Sequence, residues 1–304
     1  MQVRNIPIDG TGRETTRPGQ PGFPLAVYHS VMSRNVLGFT PWHWNEELQF
    51  CLVTRGKIRF FVNEAQYLLS PGDGIFVNSG FLHQAKPEED PDSSYICLDA
   101  GHALFSGFAG SVFERRYFLP YRSHPALEAQ ALWADVPWQR SILDAVRQVY
   151  RLSEEMPFGY EYEVQALLGR MWITLVEHLA ASGETAPRSR QKDNAAAQRI
   201  LSYLEQHYEE RITMAEIAKA VSFSPEECCR LFKRVTGETI FSYLRSYRLS
   251  RALALLEEDT LSISQIAYET GFCGTSYFIE VFKAYFGTTP LQYRRNMGNA
   301  RRVE

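Results

Sequence analysis

ITMAEIAKAVSFSPEECCRLFKRVTGETIFSYL, residues 212–244, decides the fold, because it returns as LSISQIAYETGFCGTSYFIEVFKAYFGTTPLQY, residues 261–293. Ile217, Ala218 and Phe223 align with Ile266, Ala267 and Phe272 at a separation of 49 residues. Phe232, Lys233, Gly237 and Tyr243 align with Phe282, Lys283, Gly287 and Tyr293 at a separation of 50, so one residue is inserted between the first and second helix of the unit. Self-similarity of this kind marks a duplicated structural unit. Thr213 and Ser262 stand three residues before Glu216 and Gln265, the spacing of a capping box, and each predicts a helix start. In the second copy Gly271 supplies a sharp turn, and Phe278 and Phe282 recur at i, i+4 on a face that packs inward. Two helix-turn-helix units follow. Such a unit packs its first helix across the second and leaves one face of the second free for the major groove of DNA.

The run SISQIAYETGF with SYFIEVFKAYFGTTPLQYRR resembles the C-terminal signature of the arabinose-regulator (AraC/XylS) family of bacterial transcription factors, and the upstream copy resembles its first helix-turn-helix. The resemblance covers roughly residues 195 to 296 and includes the helix RSYRLSRALALLEE between the copies and the closing Gly287, Pro290 and Tyr293-Arg294-Arg295. It implies that Pro225 to Val235 and Thr275 to Tyr285 are recognition helices entering adjacent major grooves. Carried over position by position, it places Glu226, Cys229 and Arg230 on the base-facing side of the first, and Thr275, Ser276, Tyr277 and Glu280 on that of the second. Lys233, Arg234 and Lys283 complete the expected DNA-binding set, with Lys233 and Arg234 assigned to phosphate. The first copy departs from the family at Ser222, where glycine is usual, and at Glu226 and Glu227, whose carboxylates repel phosphate.

Charge supports a local footprint only. The chain carries a formal net charge of -3, and from Asp193 onward 14 basic residues balance 14 acidic ones. Between Arg230 and Arg251, however, Arg230, Lys233, Arg234, Arg245, Arg248 and Arg251 face only Glu238. Phosphate neutralisation supplies most nonspecific affinity, so this stretch is read as the main phosphate contact.

The first half has a different period. FCLVT, KIRFFV, QYLL, IFVN and YICLD, between Phe50 and Asp99, are short runs parted by turn residues such as Arg55-Gly56 and Ser70-Pro71-Gly72-Asp73-Gly74. They predict antiparallel strands in a small barrel or sandwich. PWHWNEELQFCLVTRG followed by SPGDGIFVNSGFLHQA resembles the two motifs of a cupin barrel. In cupin enzymes these supply histidines and a carboxylate to a metal; here the corresponding positions are His43, Asn45, Gln49 and His83. Amides are poor transition-metal ligands, so no metal, no cofactor and no catalytic residue is expected. Trp42, His43, Asn45, Gln49 and His83, with Trp44, Phe50 and Phe60 nearby, instead suggest a barrel mouth suited to a small hydroxylated effector, a sugar or sugar derivative. The competing readings are aromatics that simply fill the core, and a metal-dependent cupin enzyme with an appended helical domain.

Taken together, the reading is an α+β chain of two domains: a cupin-like antiparallel β-barrel followed by helices, then an all-α double helix-turn-helix domain. The map is an N-terminal arm over 1–22, a barrel over 23–136, a helical dimerisation segment over 137–181, a linker over 182–194, the DNA-binding domain over 195–297 and a tail over 298–304. In the helical segment Val164, Leu168, Met171 and Leu175 form one apolar face, assigned either to a homodimer or to packing on the barrel. The polar run SGETAPRSRQKDN gives the linker. Five cysteines in no metal-binding or disulfide pattern, and no apolar signal or membrane span, predict a cytoplasmic protein with reduced thiols and no membrane partner. Double-stranded DNA, a small-molecule effector and RNA polymerase are the expected partners.

Overall fold

The computed structural model describes residues 13–14, 22–122, 124, 126–182, 188–258 and 260–300. Contacts divide the chain between Ala195 and Ala196 into two units.

Among the described residues the first unit holds nine strands: β1 Leu25–Val31, β2 Thr40–His43, β3 Leu48–Arg55, β4 Ile58–Val62, β5 Ala65–Leu69, β6 Gly74–Val77, β7 His83–Pro87, β8 Ser94–Ala100 and β9 Ala129–Leu132. They form two antiparallel sheets ordered β1-β8-β3-β6-β9 and β2-β7-β4-β5. Burial along the strands explains the layering. β3, β6 and β8 are buried almost throughout, as strands covered on both faces must be, whereas β4 and β5 alternate. Cys51, Val53, Tyr95 and Cys97 point between the sheets towards Ile58, Phe60 and Val62. Phe50, Leu52, Ile96 and Leu98 point the other way, into a core completed by helices α2 and α3. A short helix α1, Ala103–Ser106, lies between the strands, and α2, Pro137–Glu155, and α3, Tyr160–Ser182, follow them.

Val164, Leu168, Met171 and Leu175 of α3 are all at most 2 % exposed and belong to the core shared with Phe50, Phe76 and Leu98. The apolar face read as a dimerisation surface is therefore consumed by the molecule's own sheet. A helix stripe this wide must bury itself somewhere, and the outer face of the β1-β8-β3-β6-β9 sheet offers the nearest apolar surface.

The linker reading also needs correction. Residues 183–187 lie outside the described residues, as do the arm apart from Arg13, Glu14 and Gly22, and the tail beyond Ala300. From Arg188, however, the chain is helical, in α4, Arg188–Gln206. Arg, Gln, Lys and Ala are good helix formers, and the apolar anchors Ala196, Ala197, Ile200, Leu201 and Leu204 arrive only after the polar opening. Within this opening Asn194 is buried: its Nδ2 donates to Gly80 O at 2.8 Å, and its Oδ1 accepts from Leu82 N at 3.3 Å.

The second unit continues from α4 with α5 Met214–Val221, α6 Pro225–Thr236, α7 Ile240–Glu258, α8 Ile263–Glu269, α9 Thr275–Phe286 and α10 Pro290–Ala300. The expected capping boxes are present: Thr213 accepts from Glu216 N, and Ser262 from Gln265 N, with each side chain returning to the cap backbone. Gly271 has φ +74° and Ser222, its counterpart, φ +60°. A β-carbon on Gly271 would stand 2.2 Å from Tyr208 O, whereas Ser222 is exposed. The left-handed conformation costs an L-residue about 1–2 kcal/mol. Ser222→Gly should therefore stabilise the protein by about 0.5–1 kcal/mol, while Gly271→Ala should destabilise it by more than about 1 kcal/mol. Urea unfolding followed by helical circular dichroism measures both; equal shifts of the same sign would contradict the argument.

Candidate functional site

Each second helix divides cleanly into a core face and a free face. In α6, Cys228, Leu231, Phe232 and Val235 are buried, leaving Glu226, Cys229, Arg230, Lys233 and Arg234 exposed. In α9, Phe278 and Phe282 are buried within a run of aromatic contacts that includes Phe272, Phe286 and Tyr293. Ser276, Tyr277, Glu280 and Lys283 are exposed and Thr275 is half-buried. Every residue assigned to DNA thus lies on or beside a solvent-facing stripe at i, i+3, i+4, i+7 spacing.

Glu227, awkward as a reader, has another occupation. Ser224 accepts from Glu227 N at 3.2 Å, and Ser224 N donates to the Glu227 carboxylate at 3.0 Å, a third capping box that the spacing S-x-x-E could have announced. These hydrogen bonds hold the Glu227 carboxyl below the usual carboxylate range. The partner helix is different: α9 opens at Gly274, which offers no side-chain cap.

The basic footprint is smaller than the sequence suggested. Arg248 donates from Nε to Tyr208 O and from Nη2 to Glu210 O, both at 2.7 Å. The Arg251 guanidinium lies 5.6 Å from the centre of the Tyr208 ring. Arg294 donates to Leu261 O at 2.7 Å. The side chains of Arg230, Lys233, Arg234, Arg245, Lys283 and Arg295 are exposed to solvent.

Between the sheets of the first unit, β2 and β7 bring His43 and His83 together as register partners with ring centres 4.0 Å apart. His43 Nδ1 lies 2.9 Å from Pro41 O and His83 Nδ1 2.9 Å from Phe81 O. A carbonyl only accepts, so each Nδ1 carries the proton and each neutral ring presents a lone pair at Nε2. Neither Nε2 has a hydrogen-bond partner among the described residues, nor has either side-chain polar atom of the buried Asn45. Gly80 N donates to Asn45 O at 2.8 Å, which ties this site to the segment held by Asn194.

Glu14, unremarked in sequence, reaches the same place. Its amide donates to Trp44 O at 2.8 Å and its Oε2 lies 3.6 Å from His43 Nε2. Gln49 is drawn into a neighbouring network, donating to Asp99 Oδ1 at 3.0 Å, while Tyr28 donates to Asp99 Oδ2 at 2.7 Å. Burial pushes the Asp99 carboxyl up. Trp42 stands apart from the histidines, its ring packed 6.2 Å from that of Phe61, and Phe50 faces the helices through Phe76. Phe60 does face the interior, beside Tyr95. Among the described residues no group of three or more His, Cys, Asp or Glu side chains is arranged to hold a metal ion, and no helix is long and apolar enough to cross a membrane.

Burial lowers the pKa of both imidazoles, His83 to about 4 and His43 well below its ordinary value. Below pH 6.5 the unfolded chain then binds protons that the folded one refuses, so stability is complete above about pH 6.5 and is lost as pH falls towards 4. For His83 alone the loss is about 3 kcal/mol. All five tryptophans lie in the first unit, so tryptophan fluorescence during urea unfolding reads it directly. His83→Gln should flatten the profile; an unchanged one would contradict the assignment.

Residues 217–296 match the model of a helix-turn-helix domain, and residues 34–169 that of an AraC-like ligand binding domain. An HTH-type transcriptional regulator of Bacillus subtilis, YdeC, is 33% identical over 294 residues, which cover 96% of this chain and 99% of that one. The HTH-type transcriptional activator RhaR of Shigella flexneri is 24% identical over 261 residues, 83% of this chain and 86% of that one. Among solved structures, fatty-acid-bound ToxT of Vibrio cholerae is similar with a TM-score of 0.43 and 15% identity, over 90% of this chain and 94% of that one.

Proposed function

Because the chain belongs to the AraC/XylS family of DNA-binding transcription regulators and carries that family's ligand-binding domain, we propose that it reads DNA with α6 and α9 and is governed by a small sugar-like effector held between its sheets. Arg230, Cys229 and Glu226 on α6, and Thr275, Ser276, Tyr277 and Glu280 on α9, are the proposed base readers. Lys233, Arg234 and Lys283 are the proposed phosphate contacts, and RNA polymerase is the machinery acted upon in the cytoplasm.

One observation carries the effector site: two neutral imidazoles with ring centres 4.0 Å apart are buried with Nε2 atoms that meet no hydrogen-bond partner among the described residues, as are both side-chain polar atoms of Asn45, two positions along from His43. Buried polar groups are costly unless satisfied, and hydroxyl groups can both donate to the Nε2 lone pairs and pair with Asn45. Gln49 would border the ligand rather than grip it, and Trp42, packed against Phe61, takes no part. Effector binding must favour one state of the protein over another to regulate it. The path proposed for that preference is short, from Asn45 through Gly80 to Asn194 on α4, a helix that begins in the first unit and ends in the second.

Calorimetric titration of the full chain with a panel of pentoses, hexoses and their phosphates tests the effector class. Saturable binding by at least one, weakened tenfold or more in His83→Gln, is expected. Absence of binding across the panel would refute the sugar assignment. The enzyme alternative has less support, since the full-length relative and RhaR are both transcriptional regulators.

A further inference from the structure

Three segments of the second unit meet at one guanidinium. Arg248, in the middle of α7, bonds the carbonyls of Tyr208 and Glu210, which belong to the connection leaving α4 and entering α5. The turn between α8 and α9 rests on this pair: a β-carbon at Gly271 would stand 2.2 Å from Tyr208 O and 2.9 Å from Arg248 Nε and Nη2. Neighbours on α7 reinforce it, with the Tyr247 ring edge-on to Tyr208 at 5.3 Å and Arg251 over the same ring. The entry to the first helix-turn-helix is thereby fixed to the turn of the second through a single side chain.

We propose that Arg248 is a positioning residue that sets the offset between the two reading helices, and that it is not a phosphate contact. A planar fork with two parallel donors suits this task, because it fixes direction as well as distance, which the single ammonium of lysine cannot. The chemistry of the junction also explains its shape. Carbonyls beyond a helix end need donors, and a glycine is required where the turn passes within contact distance of the bonded oxygen.

The two roles differ in what binding measurements record. Losing a phosphate contact weakens all sites alike and lowers the slope of log K against log salt by about 1. Losing the offset leaves the slope unchanged and removes the preference for one half-site spacing. The experiment uses the full chain and a duplex selected by it from random DNA, with the interval between half-sites lengthened or shortened by one and two base pairs. Arg248→Ala should lose tenfold or more in affinity at the selected spacing and bind the altered spacings nearly as well, with the wild-type salt slope. Gly271→Ala, which disturbs the junction without touching charge, should behave in the same way, and Lys233→Ala should show the opposite pattern. Should Arg248→Ala not fold, Arg248→Lys keeps the charge and gives the same readouts. A reduced slope with intact spacing preference, a lysine variant indistinguishable from wild type, or a change in thermal stability alone would each overturn the proposal.

Discussion

Raising the salt concentration from about 50 to about 200 mM should weaken binding to a selected duplex by about a thousandfold. The size follows from the exposed basic residues of the proposed footprint. Arg248, Arg251 and Arg294 are committed to carbonyls or an aromatic ring, whereas Arg230, Lys233, Arg234, Arg245, Lys283 and Arg295 have solvent-exposed side chains and make up the proposed footprint. About six phosphates neutralised give a slope near -5, and a fourfold rise in salt then costs about three decades. A count based on sequence alone would add Arg248 and Arg251 and predict a steeper line. Fluorescence anisotropy across a salt series separates the two, and an affinity indifferent to salt would deny the footprint altogether.

Leu168→Ala should cost the first unit about 3 kcal/mol while leaving the sedimentation coefficient of the folded protein unchanged. Leu168 is fully buried in the core that joins α3 to Phe50, Phe76 and Leu98. Removing its branched end leaves a cavity that dense neighbours fill poorly. Had the same face held two copies together, the substitution would shift mass rather than stability. Urea midpoints and sedimentation velocity on one preparation settle the matter, and unchanged stability with a loss of mass would restore the interface reading.

The parts legible in sequence are those whose signals are local. Capping boxes, the Gly271 turn and the spacing of Phe278 and Phe282 specify the repeated unit within a few turns of helix, and they returned as α5, α6, α8 and α9. Strands flanked by turn residues were equally visible. β2 and β7 were not, being short and interrupted or ended by proline, nor was β9, whose Ala-Gln-Ala-Leu reads as helix. α4 was hidden by its own start, where polar residues give no amphipathic pattern until Ala196. Functional side chains failed for a related reason. His43 and His83 announced themselves through motif spacing, but Glu14, Asp99 and Asn194 acquire meaning only from residues 29 to 114 positions away. Charge misled most: Glu227 looked out of place on a DNA-facing helix and is a cap, while Arg248 looked like a phosphate contact and bonds two backbone carbonyls.

Selection of bound sequences from random duplex DNA by the full chain, followed by footprinting of the winners, tests most directly the claim that two helix-turn-helix units read DNA side by side. Two protected blocks on one face of the duplex are expected, their centres about 10 base pairs apart, with the more sharply conserved block lost on substitution of α9 residues. A single block, or no enrichment at low salt, would contradict it.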